Sequence, residues 1–219
     1  MSRTQRVLFV RLPPLVGFED HHPRDVTLPI PIAYMATMVQ ESGRRARVID
    51  VWATGQSMRE VLAEIREESP DVVVFEADAP PYPVVLKCAE SVRKELPETR
   101  LLAFGSVPSF MPGRVVGGDL PFDVAIHGEP EFTTLELLDA LGHDKPLADV
   151  EGIAVWDAQR EAVLKTPPRR ESDDLDQLPH PDYDLFDLDR YRKYSFPMPL
   201  NRRVRWGHVL ATRGWRTNC

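Results

Sequence analysis

From residue 6 to residue 141, short apolar runs alternate with segments of helical period, and this alternation constrains the fold more than any other feature. RVLFVR (6–11) is the first run and ends at Leu12-Pro13-Pro14. A helix is predicted near 31–42: Pro31 suits its start, Ile32, Met35, Met38 and Val39 form a stripe, and Gly43 stops it. ARVIDV (46–51) is the second strand. Ser57 with Glu60 three residues on is a capping-box signature, and it opens a helix that turns Val61, Leu62 and Ile65 inward. DVVVFEA (71–77) is apolar almost throughout, which marks a central strand covered on both faces. A helix carrying Val84, Val85, Cys88, Ala89, Val92 and Leu96 follows, then strands at RLLAF (100–104) and FDVAI (122–126), then a helix from Glu131 to Leu141. Right-handed crossovers leave few ways to cover both faces of such strands other than a five-stranded, parallel, doubly wound sheet. The expected fold is Rossmann-like, of the flavodoxin type. Ligands on these sheets bind beyond the carboxyl ends of the strands, so the loops after strands one, three, four and five are the candidates.

After residue 145 the pattern changes. GIAVW (152–156) and AVLK (162–165) flank a polar turn and read as a β-hairpin. Between Glu171 and Asp189 lie eight acids, but also Leu175, Leu178, Tyr183, Leu185, Phe186 and Leu188, so this connector is expected to wrap a surface. VRWGHVLATRG (204–214) reads as a further strand.

Charge and cysteine content exclude several classes. The net charge is −7, yet Arg192, Lys193, Arg202, Arg203, Arg205, Arg213 and Arg216 are followed or separated by no acid, so residues 1–191 carry −14. A body of that sign does not attract nucleic acid, and the basic tail is read as a solvated or partner-facing segment of a larger domain. No apolar run approaches the roughly 18 residues of a membrane span, and the expected location is the cytoplasm. The two cysteines, Cys88 and Cys219, form no disulfide framework, and Cys88 falls on an apolar helix face as a core residue.

Several phrases, in order, resemble the cobalamin-binding radical S-adenosylmethionine proteins. LPIPIAYMATMVQESG with ARVIDV looks like that family's first helix and second strand. SPDVVVFEADAPPYP looks like its third strand and loop, and LLAFGSVPS sits where the family has a glycine pair. IHGEPEFT matches its strand-five turn, DDLDQLPHPDYDLFDLDRY matches the connector before the catalytic barrel, and ATRGWRTNC falls on the cluster-binding loop. The resemblance implies three parts: a cobalamin-binding α/β domain over 1–145, a hairpin and acidic, proline-rich connector over 146–200, and the start of a truncated radical S-adenosylmethionine domain over 201–219.

A corrin is a broad, largely apolar disc with amide arms, and the loops beneath it need small residues and backbone donors. Ala77, Ala79, Gly105 and Ser106 meet that need. The resemblance extends the footprint to Pro14 after strand one, Asp78 and Tyr82 after strand three, Val107 after strand four, and Gly128 and Glu129 after strand five. Asp20-x-His22-x-x-Asp25 falls short of the Asp-x-His-x-x-Gly phrase that supplies a cobalt-ligating histidine elsewhere, and the implied cobalamin is base-off with a weak or absent axial ligand.

A radical S-adenosylmethionine cluster takes three thiolates in C-x-x-x-C-x-x-C. Here Trp215 stands at the first position and Cys219 at the second. An indole offers iron no lone pair, so Cys219 is a degenerate metal position and the chain is expected not to be catalytic alone. Iron–sulfur cluster and S-adenosylmethionine are implied only for a complete parent of methyltransferase type. Two other readings stay open. One is a receiver-like module with Asp78 as phospho-acceptor. The other is an interaction module whose residues 201–219 dock on another subunit.

Overall fold

The computed structural model describes residues 4–13, 26–172 and 174–192. Seven strands form one sheet: β1 (Arg6–Arg11), β2 (Arg45–Asp50), β3 (Val72–Glu76), β4 (Arg100–Phe104), β5 (Val124–Ile126), β6 (Ile153–Asp157) and β7 (Ala162–Lys165). Their order is β2-β1-β3-β4-β5-β6-β7. The first five run parallel, as the alternation predicts, and the chain reverses its direction of winding between β1 and β3. That reversal is the topological switch point of a flavodoxin-type sheet.

Among the described residues seven α-helices connect or flank the strands: α1 (Ile30–Glu41), α2 (Val51–Thr54), α3 (Met58–Glu68), α4 (Tyr82–Glu95), α5 (Ser106–Phe110), α6 (Pro130–Gly142) and α7 (Leu188–Arg192). Strand pleating sends Val7 and Phe9 to one face, with α1 and α6, and Leu8 and Val10 to the other, with α3 and α4. Phe9 and Phe75, both fully buried, anchor these two layers, each burial contributing about 2–3 kcal/mol by transfer. Cys88 is buried in the second layer, where desolvation pushes its thiol up to about 12, so it is a packing residue. The capping box of α3 is present in full, Ser57 accepting from the Glu60 N–H and Glu60 from the Ser57 N–H.

Three differences from the sequence reading have identifiable causes. The sheet has seven strands rather than five, because β6 pairs antiparallel with β5 and covers an edge that would otherwise be open. The second strand stops at Asp50, whose carboxylate accepts the Trp52 N–H and caps α2, so Val51 is helical. The fifth strand begins only at Val124, since the Asp123 side chain turns to accept the Leu101 N–H at 2.7 Å.

The connector does wrap a surface. Asp182 N–H donates to Thr37 Oγ1 at 2.7 Å, and Phe186 and Tyr191 are buried edge to face against the α1 layer. Among the described residues no helix is long and apolar enough to cross a membrane. The sequence-predicted strand at 204–214 and the cluster loop with Trp215 and Cys219 lie outside the described residues.

Candidate functional site

The carboxyl edge of the sheet is built by two loops that lock together. Ala77 N–H donates to the Phe104 carbonyl at 2.7 Å, and Val107 N–H to the Ala77 carbonyl at 3.1 Å. Ser106 N–H donates to Asp78 Oδ1 at 2.8 Å, and Ala79 N–H to Ser106 Oγ at 3.0 Å. Close approach of the loops requires Gly105, whose φ is +116°: a Cβ there would lie 2.9 Å from Asp78 Oδ1 and 3.2 Å from the Ala77 carbonyl carbon. A third loop joins through Gly128 N–H, which donates to Ser109 Oγ at 3.2 Å.

These loops enclose a cleft of about 500 Å³. Of the sequence candidates, Asp78, Gly105, Ser106 and Gly128 line it, and the starts of α1 and α6 close it through Pro31 and Pro130. Nothing lies within 4 Å of where a Cβ on Gly128 would project, so the cleft is open above that residue. The other candidates sit elsewhere. Ala77 is buried beneath the loop and acts through its backbone, while Ala79 is exposed at the turn. Val107 and Tyr82 pack into the α3–α4 layer, with the Tyr82 hydroxyl donating to the Arg114 carbonyl and pushed up to about 12 by desolvation. Glu129 is half-buried as the residue preceding α6. Pro14 and the Asp20-x-His22 phrase lie outside the described residues.

Seven lining residues were not among the sequence candidates: Pro31, Ser109 and Pro130, and the chemically distinctive Glu76, Phe104, Phe110 and His127. Glu76 belongs to a buried charge network at the switch point. Arg11 Nε pairs with Glu76 Oε2 at 2.9 Å across β1 and β3, and Arg11 Nη1 reaches Asp50 Oδ2 at 3.3 Å and the Thr27 carbonyl at 2.6 Å. The guanidinium lies 4.3 Å above the Trp52 ring, and the Tyr191 hydroxyl donates to Asp50 Oδ2 at 2.6 Å. Burial outweighs the Arg11 charge and, with Asp78 and Asp50 nearby, raises Glu76 to about 7. His127 is buried, its ring set against the backbone of Ile153 and Thr166. Desolvation, then the charge of Lys165, lower its pKa below the ordinary histidine value, so the ring is neutral at pH 7. The one sequence signal for these residues was the charge of Glu76 at the end of an otherwise apolar run.

The cleft therefore offers small residues, two carboxylates, one neutral imidazole and two phenyl rings, with no cationic side chain lining it among the described residues. That set suits a large, apolar, amide-bearing ligand better than a free phosphate. Asp78 is already engaged with the Ser106 N–H, which leaves the receiver-like reading without geometric support.

Comparison with known proteins gives a consistent set of matches. The model of the B12 binding domain family matches residues 22–138. An uncharacterized methyltransferase of Pyrococcus horikoshii is 27% identical over 192 residues, which are 87% of this chain and 39% of the relative. The anaerobic magnesium-protoporphyrin IX monomethyl ester cyclase of Synechocystis is 22% identical over a stretch that is 87% of this chain and 38% of the relative. Among solved structures, the cobalamin-dependent S-adenosylmethionine radical enzyme OxsB, with aqua-cobalamin and S-adenosylmethionine bound, superposes with a TM-score of 0.73 at 17% identity, covering 88% of this chain and 26% of that one. The radical S-adenosylmethionine methyltransferase TsrM from Kitasatospora setae, with cobalamin and a [4Fe-4S] cluster bound, gives 0.57 at 17% identity, covering 82% and 31%. The chain thus spans about two fifths of the curated relatives it matches, and the structural likeness is one of fold.

Proposed function

This chain belongs to the B12-binding domain family, and from that premise we propose that it holds cobalamin over the carboxyl edge of β3, β4 and β5, in the cleft between the Ala77–Ala79, Gly105–Phe110 and His127–Glu129 loops. The observation that carries this placement is the interlock of the first two loops, which uses Gly105 to bring backbone and small side chains flush with the cleft floor. The residues fit a corrin on two counts. The space above Gly128 is open, and the Phe110 ring stands exposed at the rim. Fixed loops of this kind lower the ordering cost of binding.

The chemistry a corrinoid supplies when bound is carriage of a methyl group on cobalt. The chain's own residues hold and orient it. Ser106 and the Gly105–Ser106 backbone offer polar contacts to amide arms, Phe104 and Phe110 present apolar surface, and Glu76 and Asp78 are acceptors for amide N–H groups. In the same proposal the domain serves a radical S-adenosylmethionine reaction of methyl-transfer type, with cluster and substrate contacts made outside the described residues. A cytoplasmic setting and a protein partner on residues 201–219 complete it, supported by the contrast between that basic segment and the acidic body.

Hydroxocobalamin added to the purified chain at tens of micromolar is expected to shift its visible bands and to co-elute with the protein on gel filtration. Free passage of the cofactor, with the protein folded by circular dichroism, overturns the proposal.

A further inference from the structure

Two acids share one buried cation beside the cleft, and the connector holds the far end of that arrangement. Arg11, on β1, lies between them: its Nε pairs with Glu76 Oε2 at 2.9 Å on one side, and its Nη1 with Asp50 Oδ2 at 3.3 Å on the other. The Arg11 and Asp50 side chains are 7% and 4% exposed, whereas Glu76 keeps 15% and lines the cleft. The Asp50 oxygen that faces Arg11 also accepts from the Tyr191 hydroxyl at 2.6 Å. Tyr191 belongs to α7, which is set in place by the edge-to-face contact with Phe186 and by Arg190, whose Nη1 donates to the Thr54 carbonyl at 3.3 Å. A hydroxyl from the connector therefore ends a chain of four groups that begins in the cleft.

Packing alone does not require this chain. A phenyl ring would fill the Tyr191 site, and one cation among Asp50, Glu76 and Asp78 leaves negative charge in excess, a poor arrangement for stability. Arg11 cannot serve both of its acids fully, so a hydrogen bond that Asp50 receives from Tyr191 reduces its demand on Arg11. Resting on the reading of the cleft as a cobalamin site, we infer that Tyr191 is a positioning residue for that site: by satisfying Asp50 it leaves Arg11 to hold the Glu76 carboxyl in place at the cleft, so that connector docking and cobalamin affinity are coupled. Linkage makes the coupling reciprocal, and a corrinoid that engages Glu76 fastens the connector in turn. The charged groups facing Glu76 are Arg11 from β1, Asp50 from the end of β2 and Asp78 from the loop after β3, while His127, after β5, lines the same cleft as a neutral ring.

The test titrates the full chain with hydroxocobalamin by visible absorbance, comparing wild type, Tyr191→Phe, Glu76→Gln and the double variant. Tyr191→Phe keeps the ring and its apolar contacts, and is expected to weaken binding at least about fivefold. In the Glu76→Gln background the same substitution is expected to change affinity by less than about twofold. A purely structural role for Tyr191 gives the same loss in both backgrounds. A second readout needs no ligand and decides the matter where Glu76→Gln binds too weakly to close the cycle. In a 13C NMR titration of the Glu76 carboxyl, Tyr191→Phe is expected to raise the midpoint, because Asp50 then draws Arg11 away from Glu76. Unchanged affinity for Tyr191→Phe, or equal losses in the two backgrounds, or an unmoved Glu76 midpoint, overturns the inference while leaving the cobalamin site standing. Absence of binding by the wild type overturns both.

Discussion

Glu76 is the residue whose environment departs furthest from its sequence context, because a carboxylate ends a strand that is otherwise apolar and is then buried against Arg11, with Asp50 and Asp78 adding negative charge. Its pKa in the folded chain, about 7 against an ordinary 4.5, means the folded state binds a proton that the unfolded state has released over that interval. Stability contributed at this site is therefore present below about pH 4.5 and falls as pH rises to about 7, then levels. Glu76→Gln, which keeps the shape and cannot ionise, is expected to lose less stability than wild type between pH 5 and pH 8. Urea midpoints at the two pH values read this directly, and equal losses in the two proteins would show that Glu76 is solvated and ordinary.

At the scale of elements, the Gly105 turn sets the site. Its φ of +116° is a region that side chains rarely adopt, and a Cβ would press on Asp78 and on the Ala77 backbone. Gly105→Ala is expected to cost about 1–3 kcal/mol in urea unfolding and to weaken hydroxocobalamin binding more than it lowers stability, since it parts the loops that form the floor. A wild-type midpoint in that variant would mean the loops yield freely. Elements of this kind were legible in the sequence to the extent that they were local. The apolar runs located β1, β3 and β4, Ser57 and Glu60 located the start of α3, and the glycine and serine after β4 marked a site loop. What escaped was non-local. The pairing of β6 with β5 depends on an uncovered edge, the Tyr191–Asp50 bond joins residues 141 apart, and strand period gives the face of a side chain but not the cleft it lines, so His127 passed unnoticed.

In the whole molecule, connector and cleft meet in one buried network. Tyr191 bonds Asp50, Asp50 pairs with Arg11, and Arg11 pairs with Glu76, which lines the cleft. The connector thus leaves the sheet beside its carboxyl edge, at Arg192. Cobalamin is proposed to sit over the carboxyl ends of β3, β4 and β5. Hydrogen–deuterium exchange with and without hydroxocobalamin measures this over all segments at once. Slower exchange is expected at 77–79, 105–110 and 127–129, with no change at the opposite edge around Gln5, Arg44 and Asp71. Protection confined to that opposite edge, or to residues far from both, would contradict it.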